Sequence, residues 1–331
     1  MSFDNFAGNE HLKTQLKRYI KSGQIHNSYV FAGEEGIGKK TLSQEFIKGL
    51  FCESPINDEA CGKCALCRQL ASASLPDICY LTKPKDKKSY GIEEIREQII
   101  KQVYVKPFAA KRKVFVISQG DDLTIEAQNG LLKVLEEPPE YVTFIILVSR
   151  KSFLLDTVLS RSCVFDMRPA PLKEAYEFLH RTYPEKNAEE IEFYAKFSQG
   201  IIGKAIKIIN DEEYHALFFE TAKHLSALIK SRDSLIYFHH FLLENKDDVL
   251  HIIDFMLIFL RDCIFSCVGL NDMVICPQNL KDVSCAAVYK KKYTSCMETV
   301  IAHKNKLSYN VNFAFWSLDF LTQMQNICNS N

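Results

Sequence analysis

Ser28-Tyr29-Val30-Phe31-Ala32-Gly33-Glu34-Glu35-Gly36-Ile37-Gly38-Lys39-Lys40-Thr41-Leu42-Ser43-Gln44-Glu45-Phe46-Ile47 decides the fold. Its first five residues read as a buried strand and its last seven as a helix, and Gly33–Lys40 between them has the spacing of a phosphate-binding loop. In that motif, G-x-x-x-x-G-K-[ST], backbone N–H groups face phosphate oxygens, the lysine reaches the β/γ-phosphates and a hydroxyl binds Mg²⁺. Gly33, Gly36, Gly38 and Lys39 fit the pattern; Lys40 stands where the Ser/Thr should be. A charged lysine has no lone pair to give a metal. Thr41 comes one residue late, about 100° further round a helix, so its hydroxyl does not simply substitute. The loop is therefore expected to hold ATP or ADP without hydrolysing it. A glycine-rich turn kept for packing alone is the alternative, and the strand, loop, helix order argues against it.

Outward from the loop, strands and helices alternate up to about residue 165. Strands are expected at Ser28–Ala32, Asp77–Leu81, Lys113–Ser118, Val142–Ser149 and Cys163–Phe165, with helices at Glu10–Lys21, Lys39–Phe51, Ile92–Val103 and Thr124–Glu136. This rhythm predicts an α/β domain with a parallel sheet. In the fourth helix Ala127, Leu131 and Leu135 recur every four residues, Thr124 can cap the start and Pro138-Pro139 forbids continuation. A hydrolysing P-loop protein also needs a strand ending in acids that organise Mg²⁺ and water. Here the strand ends in Ser118-Gln119; Asp121 and Asp122 follow, but Gly120 ends the strand pattern first.

After Arg168-Pro169-Ala170-Pro171 the strand signals stop. Leu172–Thr182, Ala188–Phe197 and Ile202–Asn210 read as three short helices, with Gly200 and Gly203 marking the turn into the last. Longer helices are expected at Tyr214–Lys230, Asp233–Glu244, Asp247–Val268, Val283–His303 and Asn312–Cys328. The expected organisation is a P-loop domain over 1–167, a small three-helix lid over 168–211 and an all-helical domain over 212–331 that serves oligomerisation.

The chain has 331 residues, too many for one ordinary core, and 47% hydrophobic content suits globular folding. Acidic and basic residues balance at 41 each, so no overall field drives nucleic-acid binding; such contact must come from a local patch or a larger assembly. Lys83-Pro84-Lys85-Asp86-Lys87-Lys88 reads as a solvated loop, with DNA contact as its alternative. The start Met1-Ser2-Phe3-Asp4-Asn5-Phe6 carries no export signal, which makes a cytoplasmic protein the expectation. Val249–Leu270 is nearly long enough to span a bilayer, but His251, Asp254, Arg261 and Asp262 interrupt it, so a buried helix and no membrane association are expected.

Cys52 is followed by Cys61, Cys64 and Cys67, two C-x-x-C spacings sharing a cysteine with a fourth upstream. Four thiolates can close a tetrahedral structural Zn²⁺ site that stabilises a loop without a core of its own and leaves no open position for catalysis. An iron–sulfur cluster is the rival reading, although the Cys-Pro that continues the ferredoxin pattern does not follow. Cys79, Cys163, Cys263 and Cys285 read as buried apolar residues.

Three further stretches carry a resemblance. Arg112-Lys113-Val114-Phe115-Val116-Ile117, Ala127-Gln128-Asn129-Gly130-Leu131-Leu132-Lys133-Val134-Leu135-Glu136-Glu137-Pro138-Pro139 and Leu159-Ser160-Arg161-Ser162-Cys163 resemble bacterial DNA polymerase III clamp-loader subunits of the AAA+ class. His26-Asn27-Ser28-Tyr29 and the cysteines of the insert over 52–67 are similar to the same family, so the likeness covers about the first 210 residues; the C-terminal helices resemble its collar only in helical character. The degenerate loop is similar to the family's non-hydrolysing delta-prime branch, as opposed to its hydrolysing gamma/tau branch. The resemblance implies that Arg161 reaches a neighbouring subunit's γ-phosphate as an arginine finger, although Ser162 separates it from Cys163. A helix cap or an ion pair is the alternative role. It also implies that Ser149 is a phosphate-sensing position and that Lys204 replaces the lid's nucleotide-sensing arginine, or is a plain surface lysine.

The implied partners are gamma/tau-type and delta-type subunits in a hetero-oligomeric ring, with the sliding clamp and primer-template DNA reached through the assembly. Two rival readings stand beside this one. The first is a hydrolysing gamma/tau-type ATPase that uses Asp121 or Asp122 for Mg²⁺; the second is a zinc-dependent nucleic-acid-binding protein with a relic loop, contacting DNA through Lys85, Lys87 and Lys88.

Overall fold

Five strands form one parallel sheet in the order β2-β3-β4-β1-β5: β1 (Ser28–Ala32), β2 (Ile78–Tyr80), β3 (Lys113–Ile117), β4 (Val142–Val148) and β5 (Cys163–Asp166). This computed structural model describes residues 3, 6–84, 87–231, 233–281, 283–307, 309 and 311–329. Lys85 and Asp86 of the charged loop, and Met1, Ser2, Asp4 and Asn5 of the polar start, lie outside the described residues. By contacts the chain divides into two compact units, Met1–Ala205 and Ile206–Asn331.

In the first unit β1, β3 and β4 are buried along their whole length, as central strands of a sheet covered on both faces must be. Alternate residues feed two apolar layers. Val30, Phe115, Phe144 and Ile146 face one layer, closed by Ile95, Ile99, Leu131 and Val158. Tyr29, Phe31, Val114, Val116 and Ile145 face the other, closed by Leu12 and Leu16 of α1 (Glu10–Ser22) and Leu42 and Phe46 of α2 (Lys39–Phe51). A short α3 (Ala65–Ala71) follows the cysteine insert.

The segment expected as one helix over Ile92–Val103 starts as α4 (Ile92–Ile95), runs as a π-helix over Arg96–Ile100 and ends as α5 (Lys101–Val103). The buried Lys113 at the start of β3 donates to the carbonyls of Gln102 and Val105 where that segment ends. Next comes α6 (Ile125–Glu136), capped by the Thr124 hydroxyl accepting from Ala127 N–H, and then α7 (Asp156–Leu159). Three helices follow β5: α8 (Leu172–Thr182), α9 (Ala188–Ser198) and α10 (Ile202–Asn210). The boundary between the two units falls inside α10, and the first unit takes in α8 and α9 together with the sheet.

The second unit is helical: α11 (Glu212–Lys230), α12 (Ser234–Glu244), α13 (Val249–Cys267), α14 (Lys290–Lys306) and α15 (Phe313–Asn329). The apolar α13 packs against α11 and α14, and its Asp262 is satisfied by the N–H groups of Ile275 and Cys276 at 3.0 Å each. Among the described residues no helix is long and apolar enough to cross a membrane. The helix expected from Val283 begins only at Lys290, after a 3₁₀ turn over Ala287–Tyr289. The Ser284 carbonyl is taken by the Tyr293 hydroxyl at 2.7 Å instead of by a helical N–H.

Candidate functional site

The loop after β1 turns sharply because Gly36 and Gly38 sit at φ 81° and 98°, a left-handed region that glycine enters without strain. Gly38 is also the N-cap of α2, so the first N–H groups of that helix point into the loop. Lys39 Nζ folds back onto the carbonyls of Gly33 (2.5 Å) and Glu34 (3.0 Å), closing the loop on itself. Burial lowers the pKa of its ammonium, while the charges of Asp121, Glu35 and Glu34 pull it back up.

A cavity of about 630 Å³ opens against this loop. Glu35, Gly36, Gly38, Lys39, Lys40 and Thr41 line one side, Ser118, Gln119, Asp121 and Asp122 another, and Leu147, Ser149 and Gly203 complete it. Six of the expected nucleotide residues thus meet at one cavity. Gly33 lies behind the loop as a carbonyl acceptor, and Lys204 stands on α10 with its ammonium 3.9 Å from Glu34 Oε2.

Asp121 and Asp122 come closer than the strand pattern implied. β3 does end at Ile117, but a 3₁₀ turn over Gly120–Asp122 folds both acids back to the cavity. Both already have partners. The Ser149 N–H donates to both Asp121 oxygens, at 2.8 and 3.0 Å, and Lys83 Nζ lies 2.5 Å from Asp122 Oδ2. Lys40 differs: its ammonium makes no hydrogen bond or ion pair with a described residue, and only its carbonyl is used, by the Ser43 hydroxyl.

Arg161 lies outside this cavity, just past α7. Its guanidinium donates to the Thr157 carbonyl at 2.9 Å, to the Ser160 hydroxyl at 3.3 Å and to Glu136 Oε1 at 2.5 Å. Ser162 is turned toward β1. Its hydroxyl turns inward, donating to the Val158 carbonyl (2.9 Å) and meeting the Ser28 hydroxyl of β1 (2.7 Å), while Cys163 begins β5.

Two supporting residues belong to the quoted Ala127–Pro139 run but had no role assigned from the sequence. Glu136 closes α6 and holds Arg161. Gln128, 2% exposed, donates to the carbonyls of Leu123 and Phe153 and accepts from Leu155 N–H, tying α6 to the segment that leads into α7. The available signal was position: Gln128 adjoins the buried Ala127, Leu131 and Leu135 stripe and had to find partners there.

In the insert, the sulfurs of Cys52, Cys61, Cys64 and Cys67 all lie within 4.8 Å of one another. Tetrahedral zinc needs sulfurs about 3.8 Å apart for bonds of about 2.3 Å, so this set can close on a metal ion. Local backbone supports it. Asn57 and Asp58, both at positive φ, make the two-residue turn of the Ile56–Glu59 bridge, which returns the chain from Cys52 to Cys61. Backbone N–H groups of Cys61, Cys64 and Cys67 donate to the sulfurs of Cys52, Cys61 and Cys64, at 3.2, 3.3 and 3.4 Å. The N–H groups of Lys63 and Cys64 pull the Cys61 thiol down to about 6. In the charged loop Lys83 pairs with Asp122 and Lys87 with Glu94 at 2.8 Å, Lys88 uses only its carbonyl, which accepts from Lys83, and Lys85 lies outside the described residues.

Residues 8–171 match the protein family described as DNA polymerase III, delta subunit. The DNA polymerase III subunit tau/gamma of Haemophilus influenzae is 30% identical over 186 residues, covering 56% of this chain and 26% of that protein. The DNA polymerase III subunit gamma of Buchnera aphidicola (subsp. Acyrthosiphon pisum) is 27% identical over 194 residues, 59% of this chain and 53% of that protein. The chain therefore spans about a quarter to a half of the length of these curated relatives. A solved DNA polymerase III, gamma subunit-related protein from Thermotoga maritima superposes with a TM-score of 0.44 at 18% identity, over 96% of this chain and 99% of that one.

Proposed function

We propose, from the match of residues 8–171 to the family described as DNA polymerase III, delta subunit, that this chain is a non-hydrolysing, delta-prime-type clamp-loader subunit. It occupies a place in a ring with gamma/tau-type and delta-type subunits and presents Arg161 to the ATP of a neighbour. The outcome of its action is assembly: the ring opens a sliding clamp and sets it on primer-template DNA.

One observation carries the reading. The cavity keeps the phosphate cradle of Gly36, Gly38 and Lys39, yet Lys40 replaces the metal-binding hydroxyl and Asp121 and Asp122 are already held by Ser149 N–H and Lys83. A site so arranged favours binding over hydrolysis, because in-line attack on a γ-phosphate relies on a metal and an oriented water. An arginine finger acts on the charge that develops in the neighbour's transition state, so it needs no chemistry at home. Exposure of the Arg161 guanidinium at the end of α7 suits that role. The cysteine insert is read as a structural Zn²⁺ site, since four thiolates leave no open coordination position.

The gamma/tau-type alternative keeps one point in its favour, that Asp121 and Asp122 do line the cavity. The test mixes the chain with its candidate ATPase partner, clamp and primed DNA, and compares DNA-stimulated hydrolysis for wild type and Arg161→Ala. Equal rates would sink the finger. Hydrolysis by the isolated chain, lost on Asp121→Ala, would favour the alternative.

A further inference from the structure

We infer that the cavity at the loop binds the phosphates of a nucleoside di- or triphosphate without a divalent cation, with the Lys40 ammonium neutralising the oxygens that Mg²⁺ covers in a hydrolysing loop. The inference rests on reading Gly33–Lys39 as a nucleotide cradle and goes beyond the loss of hydrolysis.

The charges at the cavity lead to it. A P-loop that uses Mg²⁺ supplies the metal with a hydroxyl at the helix start and an acid beyond the third strand. Here Lys40 stands at the first position, and the strand ends in Ser118-Gln119 at the second. The acids that do reach the cavity are spoken for: Asp122 forms an ion pair with Lys83, and both Asp121 oxygens accept from Ser149 N–H. A metal held by Asp122 would compete with Lys83, and a metal on either acid would place a dication beside two lysines.

Lys40, by contrast, is exposed in the cavity lining and has no partner among the described residues. It follows Lys39 at the N-terminus of α2, where the helix dipole already favours an anion. Glu35 and Asp121 also line the cavity as carboxylates and oppose an anion, whereas Asp122 is paired with Lys83 and Glu34 has its carboxylate toward Lys204. Lys39 and Lys40 balance those two carboxylates, and the α2 N–H groups then tip the site toward a phosphate. An ammonium is also a point charge that reaches phosphate oxygens without fixed geometry, so it can serve where a hexacoordinate ion cannot be held.

The experiment titrates the full-length chain with ATP and with ADP by calorimetry, once in excess EDTA and once in millimolar MgCl₂. The wild type is expected to bind in EDTA, with Mg²⁺ tightening its affinity by less than about threefold. Lys40→Ala should weaken EDTA binding by about tenfold or more, the effect of one charge-assisted hydrogen bond. Lys40→Thr, which restores the motif's hydroxyl, should make binding tighter in Mg²⁺ than in EDTA. Wild-type binding that requires Mg²⁺, unchanged EDTA affinity in Lys40→Ala, or no binding under either condition would each overturn the inference. None of these outcomes touches the Arg161 assay, so this proposal and the proposed function can fail separately.

Discussion

Arg161 and Glu136 are joined by an ion pair, with Nη2 2.5 Å from Oε1, that links the end of α6 to the second residue after α7. Both side chains are partly open to solvent, at 34% and 49%, and such pairs contribute about 0–1 kcal/mol. Glu136→Gln should therefore shift stability by less than about 1 kcal/mol in urea unfolding. The arginine must leave this carboxylate to reach a neighbour's phosphate, so Glu136→Gln should keep or raise the assembled rate. Arg161→Ala should lower it by about 10³-fold or more. A loss in Glu136→Gln equal to that of Arg161→Ala would mean that the pair itself is needed for aim.

Gln128 is buried between α6 and the segment before α7, and three backbone groups depend on it. Truncation leaves the Leu155 N–H and the Phe153 and Leu123 carbonyls without that partner, at a cost of about 1–3 kcal/mol for an orphaned buried group plus the cavity left behind. Gln128→Ala should lower the urea midpoint with an unchanged slope. Because the same contacts steady the approach to Arg161, it should also reduce stimulation of the partner's ATPase. Retained stability would show that water takes over the three bonds.

The strand, loop and helix over Ser28–Phe51 were legible because each part is locally specified: a run of apolar β-formers, glycines where φ is positive, then helical spacing. α6 was legible for the same reason, with Thr124 at one end and Pro138-Pro139 beyond the other. What escaped depends on tertiary partners. The Gly120–Asp122 turn returns two acids to the cavity through the Ser149 N–H and Lys83, and neither contact has a sequence signature. The late start of α14 goes with a tyrosine hydroxyl from within that helix donating to the Ser284 carbonyl, a contact with no sequence signature. Glu136 belonged to a recognisable run, but its partner is set by the sheet order that brings α7 beside α6.

Metal occupancy should decide whether the insert is ordered. Residues 53–64 are mostly exposed and have little core, so four thiolate bonds are their main source of order. Purified chain treated with a thiol-modifying mercurial should release zinc in equimolar amount to a chromogenic chelator. Cys61→Ser or Cys64→Ser should retain less, and limited proteolysis should then cut within 53–64 while the sheet stays intact. A visible absorption band with iron in elemental analysis would support the iron–sulfur alternative.

His224 in the helical unit stacks on Phe241 and Phe238, with ring centroids 4.6 and 5.5 Å away. Burial pushes its pKa below the ordinary 6.5; Glu220 partly offsets this and Lys223 adds to it. The unfolded chain then takes up the proton first. This contribution to stability is fully present above about pH 6.5 and is lost as the pH falls from there toward the depressed folded value. Urea midpoints at pH 7.5 and pH 5.5 should differ less for His224→Gln than for wild type. An equal difference would assign the acid sensitivity to other groups.

Gly203 is where the start of α10 hydrogen-bonds to the phosphate loop. Its N–H donates to the Gly36 carbonyl at 2.9 Å, and a Cβ placed on it would lie 2.6 Å from Gly36 Cα and 2.7 Å from that same carbonyl oxygen. Both obstacles are backbone atoms of Gly36, itself held at positive φ, so no side chain can swing aside to make room. Gly203→Ala must therefore separate the start of α10 from the loop and break the hydrogen bond between them. The expected result is a loss of about 1–3 kcal/mol in stability, typical of overpacking. Weaker ATP binding should accompany it, because Gly203 lines the cavity and the Gly36 peptide forms part of the cradle. The control is Lys204→Ala, which removes the distant 3.9 Å contact with Glu34 and leaves the glycine packing intact. If α10 senses nucleotide through its backbone, Gly203→Ala will reduce affinity far more than Lys204→Ala. If the lysine does the sensing, Lys204→Ala will reduce it at least as much with little loss of stability.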